Sequence, residues 1–280
     1  MTAGVDTVRE LRERTGAGIM DCKAALLETK GDMEKAIDFL RKKGMASAAK
    51  RAGRDAKEGL VASRIHHNSA ILVEANCETD FVARTEDFKA LLDLALSEVD
   101  ANGEGAIASK AVSDRVAELS GKIGEKILVS RARKFQTTGG ALFSYIHANQ
   151  KLGVLIELRV SKEASKKNAA FEALGKDLAM QVAASNPVCV ERSGIPEASL
   201  EREKAIYREE IKGKPENIVE KILAGKLEKF YQTHCLIDQA FIKDDKKSVR
   251  ALLEEIGKQI QDTIQIKQFV RFQLGETAAS

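Results

Sequence analysis

A strand-forming run, Ala70-Ile-Leu-Val-Glu-Ala75, passes through the short junction Asn76–Arg84 into a helix-forming run from Thr85 to Val99. This junction constrains the chain more than any other stretch. The helix carries Phe88, Leu91, Leu92, Ala95 and Val99 on one face. Where the chain turns, Asp80 and Phe81 set a carboxylate beside a phenyl ring. Loops between rigid elements are exposed and carry function more often than the elements do. Large apolar groups are seldom left in water, so the ordinary fate of Phe81 is to fold back into the core; the alternative is that it meets a partner.

The rest of the chain is read around that unit. Its 280 residues suggest about two domains and ample material for a core. A hydrophobic share of 44% and a charged share of 31% are those of a soluble globular protein. The net charge of +3, from 45 basic and 42 acidic residues, is small for a protein that lives on nucleic acid. No apolar run approaches the ~20 residues that span a bilayer. Met-Thr-Ala-Gly-Val-Asp at the start lacks a basic segment followed by an apolar one, so no signal peptide is expected. Cys22, Cys77, Cys189 and Cys235 are scattered and form no metal-ligand spacing, which predicts free thiols in a reducing cytoplasm.

Residues 4–44 predict three short helices, a bundle resembling the ubiquitin-associated fold. Val5, Val8 and Leu11 recur at helical spacing, and Thr15-Gly-Ala-Gly18 stops that helix. Ile19, Cys22 and Leu26 form a second stripe, and Met33, Ala36, Ile37 and Leu40 a third. So small a bundle cannot expose many apolar groups, and Ile19 and Met20 after the Gly-rich turn either close its core or face a partner. Residues 41–58 are basic and rich in Ala and Gly. Such a run reads as a solvated, partly helical linker; RNA contact is the sharper alternative, without interleaved aromatics for base stacking.

Leu60–Ile65 and Ala70–Ala75 predict two strands joined by His66-His-Asn-Ser69. His66 and His67 have no Asp, Glu or Cys at ligand spacing and read as turn residues. Asn102-Gly-Glu-Gly105 then breaks the chain, Val112, Val116, Leu119 and Ile123 mark a helix, and Lys126–Phe135 a strand. Thr137-Thr-Gly-Gly140 is the candidate boundary. A second unit of similar plan follows, with a strand at Leu142–Ala148 and the alternating run Leu152–Val160, the pattern of a half-buried strand. A helix with Phe171, Leu174, Leu178 and Val182 stops at Asn186-Pro187. A helix with Val249, Leu252, Leu253, Ile256 and Ile260 and a strand from Ile264 to Leu274 close the unit. The shared plan suggests internal duplication, with no residue-level repeat visible. Residues 195–234 are helical and strongly charged, with Pro215 at a first helical turn, and predict a protruding hairpin.

The expected architecture is α+β: a three-helix ubiquitin-associated-like domain over 1–44, a basic linker over 45–58, and a core of two α/β units with small antiparallel sheets over 59–138 and 139–280, the second interrupted by the helical insertion at about 195–234. There is no phosphate-cradling Gly loop with Lys-Ser/Thr and no nucleophile elbow. No catalytic residue, metal site or cofactor is expected, and the chain is not read as an enzyme.

Two stretches resemble one family. Glu74-Ala-Asn-Cys-Glu-Thr-Asp-Phe-Val-Ala-Arg84 is similar to the internal signature of bacterial elongation factor Ts, with Ala75 where a branched aliphatic is usual. Leu11-Arg-Glu-Arg-Thr-Gly-Ala-Gly-Ile-Met-Asp-Cys-Lys-Ala-Ala-Leu26 resembles its N-terminal signature, with Ala24 where a polar residue is common. The 195–234 segment resembles its helical insertion. The resemblance implies a cytoplasmic guanine-nucleotide exchange factor that acts on elongation factor Tu without covalent catalysis. It implies that Thr79, Asp80, Phe81 and Val82 dislodge the partner's Mg²⁺: Phe81 wedges between helices of the GTPase, Asp80 brings negative charge to the metal's water network, and Thr79 and Val82 hold the loop. Ile19 and Met20 would touch the partner's nucleotide-binding domain. His147, after Ser144-Tyr-Ile, would face the partner, although a lone strand His is more often a satisfied structural group and Ala148-Asn-Gln-Lys151 is longer and less Gly-rich than the family's turn. The hairpin would serve subunit or partner contact, including a homodimer. Longer members end in an extra helix, a contact expected to be absent with only Glu276–Ser280 after the last strand. No membrane and no direct nucleic acid contact is expected. The competing reading is a translation-associated module that binds protein or RNA without exchange activity.

Overall fold

A computed structural model describes residues 4–213 and 215–276. Residues 1–3, 214 and 277–280 lie outside the described residues.

Three helices open the chain: α1 (Val5–Thr15), α2 (Ile19–Glu28) and α3 (Met33–Arg51). Gly16, at φ 66°, ends α1 with its N–H on the Arg12 carbonyl, a conformation glycine adopts without strain. Leu11, Cys22, Ala25, Leu26 and Ala36 fill the small core, with Val8, Ile37 and Leu40 packed around it. The third helix does not stop at residue 44. It runs on to Arg51 and absorbs the first part of the stretch expected to be a linker, where Ala, Lys and Arg favour helix.

Two three-stranded antiparallel sheets follow. The first has the order β1 (Glu58–His66), β2 (Ser69–Cys77), β3 (Leu128–Gln136), the second β4 (Gly140–Ile146), β5 (Leu152–Val160), β8 (Ile264–Gln273). Between β2 and β3 lie a single turn α4 (Asp80–Ala83) and the helices α5 (Glu86–Asn102) and α6 (Lys110–Ile123). Between β5 and β8 lie α7 (Ala169–Ser185), the hairpin α8 (Glu197–Glu210) and α9 (Glu216–His234), a ribbon of β6 (Ala240–Phe241) and β7 (Asp244–Ser248), and α10 (Val249–Ile260). Ile71, Val73 and Ala75 of β2 face Phe88, Leu91, Ala95, Val112 and Leu119 of α5 and α6. Val154, Ile156 and Leu158 of β5 face Phe171, Leu178, Val249 and Leu253 of α7 and α10. The opposite faces meet each other through Val61, Leu72, Phe135, Leu155 and Phe272. The layers are therefore helix, sheet, sheet, helix.

That layering corrects the expectation for β5. Its alternation predicted burial on one face, yet residues 153–158 are buried throughout, because the second face is covered by the other sheet. A Cβ at Gly153 would come within 2.8 Å of Val61, Ile146 and Leu72, so the sheets press together where this strand has no side chain.

The strand registers also expose the repeat that the bare sequence hides. Val61 opposes Glu74 and Leu142 opposes Glu157, and each Glu is followed by a bulge against the third strand. On that register Gly59-Leu-Val-Ala-Ser-Arg-Ile-His66 lies over Gly140-Ala-Leu-Phe-Ser-Tyr-Ile-His147, and Ile71-Leu-Val-Glu74 over Val154-Leu-Ile-Glu157. The second hairpin turn is longer, which breaks the match in a linear reading. Both glutamates are buried, at 2% and 1% exposure. Arg131 Nε donates to Glu74 at 2.8 Å and Gln268 Nε2 to Glu157 at 2.8 Å, from equivalent places on the third strands.

Candidate functional site

The junction between β2 and α5 is built by two capping threonines. Thr79 begins α4, its hydroxyl accepting from Val82 N at 3.5 Å, and Asp80 stands in the first turn, where the helix dipole favours an acid. Thr85 begins α5 in the same way, accepting from Phe88 N at 3.3 Å while its hydroxyl donates to the Val82 carbonyl at 2.8 Å. What the sequence offered as a loop is thus one helical turn locked at both ends.

Helical spacing then decides which way each side chain points. Val82 (7% exposed) and Ala83 are buried in the cluster of Leu60, Phe88 and Leu91. Phe81 lies on the opposite side and is 78% exposed. This overturns the expectation that a junction Phe folds inward: Val82 and Phe88 already occupy that part of the core. Asp80 pairs with Arg84 at 2.7 Å across one turn, both at the surface.

Glu125, which the sequence reading passed over, holds the tip from beneath. Its carboxylate accepts from the N–H groups of Glu78 and Thr79, each at 3.1 Å, and from the Thr79 hydroxyl at 2.7 Å. Lys126 N returns a bond to the Glu78 carboxylate at 2.6 Å. The residue sits just after the left-handed Gly124 that ends α6, and nothing in the local sequence marks it.

The other sequence-derived residues stand on separate elements. Ile19 and Met20 open α2 at 55% and 74% exposure; they do not close the bundle core, which other residues fill. Val5, read above as part of the first helix's apolar stripe, is 84% exposed at the very start of α1. His147 is exposed beyond β4, its Nδ1 2.9 Å from the Tyr145 hydroxyl and its N–H on the Leu152 carbonyl at 2.9 Å. Its repeat counterpart, His66, lies 3.6 Å from Asp100.

Among the described residues no group of three or more His, Cys, Asp or Glu could hold a metal ion, and no helix is long and apolar enough to cross a membrane. All four cysteines are buried. Burial pushes the Cys77 and Cys235 thiols up to about 12 and raises those of Cys22 and Cys189, so thiolate, the reactive form, is scarce at neutral pH. The exposed features are instead those of a binding surface: one aromatic ring on a rigid turn, and an apolar pair at a helix start.

A family profile described as Elongation factor TS matches residues 78–276. The elongation factor Ts of Prosthecochloris aestuarii is 46% identical over 284 residues, covering 96% of this chain and 97% of its own. Those of Chloroherpeton thalassium, at 43%, and Clostridium perfringens, at 44%, cover 96% of this chain and 97% and 92% of their own. The chain belongs to the elongation factor Ts family. Its role is accordingly that of translation elongation factor Ts, in the elongation stage of protein biosynthesis. The family match opens at Glu78, directly before the tip, and the elongation factor Ts relatives extend over the N-terminal bundle as well.

Proposed function

We propose that this elongation factor Ts releases GDP from elongation factor Tu through the tip Thr79–Val82. Phe81 enters an apolar groove of the GTPase, Asp80 sets negative charge near the bound Mg²⁺, and loss of the metal and displacement of the phosphates free the nucleotide. Thr79 and Val82 hold the turn. The factor stays bound until GTP arrives. Binding of factor and of nucleotide weaken each other equally, by reciprocity of the coupling.

The observation that carries this reading is Phe81, 78% exposed beside a buried Val82 on a capped turn. Burying such a ring is worth roughly 1.5–3 kcal/mol, and a hundredfold shift in nucleotide affinity takes about 2.7 kcal/mol. One well-placed ring is therefore the right size for the task, and no covalent step is required. Ile19, Met20 and His147 supply further partner contacts, and the α8–α9 hairpin a route to self-association in the cytoplasm.

An RNA-binding role through 41–58 has less support, since several of its cations are engaged within the chain: Arg41 with Asp114, Lys43 with Asp21 at 2.7 Å and Arg54 with Glu78 at 3.2 Å. The test is stopped-flow release of a fluorescent GDP from elongation factor Tu. Phe81→Ala should slow release by on the order of tenfold or more; release at the unsubstituted rate would sink the proposal. A chain that binds elongation factor Tu without speeding release would be a binding module only.

A further inference from the structure

We infer that Glu125 is the positioning residue of the exchange tip: its carboxylate fixes where the one-turn helix springs from, and so where Phe81 stands. The inference rests on the tip being the part that acts in exchange. A helix of one turn cannot hold itself, because nucleation fixes several dihedrals for a single bond. The α4 turn is instead anchored at its cap residue, Thr79, whose N–H and hydroxyl both donate to Glu125, at 3.1 and 2.7 Å. The same carboxylate takes the Glu78 N–H at 3.1 Å. With three donors on its two oxygens, Glu125 is committed to the tip's backbone rather than to a partner. Hydrogen bonds to an ionised acceptor are the strong ones.

The repeat supplies the second observation. Asp262 stands before Gln268 at the sequence separation that Glu125 stands before Arg131, and those two residues oppose the equivalent buried glutamates. Asp262 accepts from Ser161 N at 3.0 Å, Lys162 N at 2.8 Å and the Ser165 hydroxyl at 2.6 Å. Ser161 and Lys162 follow β5 as Glu78 and Thr79 follow β2. One staple, an acid before the third strand gripping two successive amides and a hydroxyl after the second, is present in both halves. In the second half it holds Ser161–Ser165, with the small Ala164 at the place the register gives to Phe81; in the first it holds the Phe81 ring. Asp262 is therefore an internal control for what the staple does to the fold alone.

The experiment compares Glu125→Ala, Glu125→Gln and Asp262→Ala in the full chain, reading GDP release from elongation factor Tu and the anisotropy of a lone Trp. The chain has no Trp, so Phe81→Trp supplies that reporter. Glu125→Ala is expected to slow release by about ten- to a hundredfold, the scale of a reacting group displaced by an ångström, and to loosen the reporter. Glu125→Gln keeps an oxygen for the two amides and an N–H for the Thr79 hydroxyl, and should stay close to the unsubstituted rate. Asp262→Ala should lower thermal stability and leave release unchanged. If Glu125→Ala does not fold, Glu125→Asp, which withdraws the carboxylate by one methylene, takes its place with the same expectation. Release slowed equally by Asp262→Ala would make the staple merely structural, and Glu125→Gln as slow as Glu125→Ala would make the charge itself the agent; either overturns the inference. Fast release by Glu125→Ala while Phe81→Ala is slow overturns it and spares the tip; fast release by Phe81→Ala removes the tip reading beneath it.

Discussion

Two phenylalanines seven positions apart show how little a residue's chemistry says about its place. Phe88 is fully buried against the first sheet and Phe81 stands in water. Phe88→Ala should cost about 3–5 kcal/mol in urea unfolding, whereas Phe81→Ala should stay within about 0.5 kcal/mol of the unsubstituted chain. A large loss from Phe81→Ala would mean that the ring is sheltered in solution. From the sequence, Phe81 was legible as a choice between core and partner; the choice was made by Val82 and Phe88, which reach the interior first. Glu125 was not legible at all, since its three donors come from residues more than forty positions away. The cysteines carry a pH prediction. With Cys77 and Cys235 raised from 9.0 to about 12 by burial, the folded state holds its protons more tightly than the unfolded state. Their contribution to stability is complete below 9.0 and lost as pH rises towards 12. Urea midpoints measured across that range should fall, and Cys77→Ala should flatten the slope.

Among the elements, α3 departs furthest from its sequence reading. A run of Ala, Lys and Arg suits a solvated linker and a helix equally, and the decision comes from α6, far along the chain. A Cβ at Gly44 would lie 3.3 Å from the Ala117 carbonyl oxygen, and one at Gly121 3.3 Å from the Gly44 Cα. The two helices cross nearly backbone to backbone, with Arg51 reaching the Ser120 carbonyl at 3.2 Å. Alone, replacing a helical glycine gains up to about 1 kcal/mol. Here the neighbour is backbone and cannot swing aside, so Gly44→Val should lower stability by about 1–3 kcal/mol. A rise in melting temperature for that variant would show that the crossing is looser than drawn. The α4 turn gives the converse lesson: Thr85 was legible as a helix start, whereas Thr79, so close before it, read as part of a loop.

At the scale of the molecule, the α+β class could be read from spacing. The face-to-face meeting of the sheets could not, because β2 and β5 look alike whether one face or both are covered. That meeting is tied by charge. Arg131 pairs with the buried Glu74 in the first sheet and donates to the Gln273 carbonyl of the second at 2.9 Å, its guanidinium 4.2 Å above the Phe272 ring. Arg131→Ala would strand Glu74 without its cation, a loss of about 3–5 kcal/mol; Glu157, held by Gln268 and Thr137, has a cation of its own in Arg159, 3.3 Å away. Chemical unfolding of Arg131→Ala that costs under about 1 kcal/mol would show that Glu74 finds another donor or a proton.

The chain leaves the sandwich for its helical hairpin at Cys189 and returns at Cys235. The two residues bridge in parallel, their sulfurs 3.7 Å apart and Leu236 N on the Cys189 carbonyl at 2.9 Å. Departure and return thus share one doorway. Whatever length of chain grows beyond it, the rooms behind keep their walls, so evolution could lengthen, shorten or prune this branch without redrawing the house.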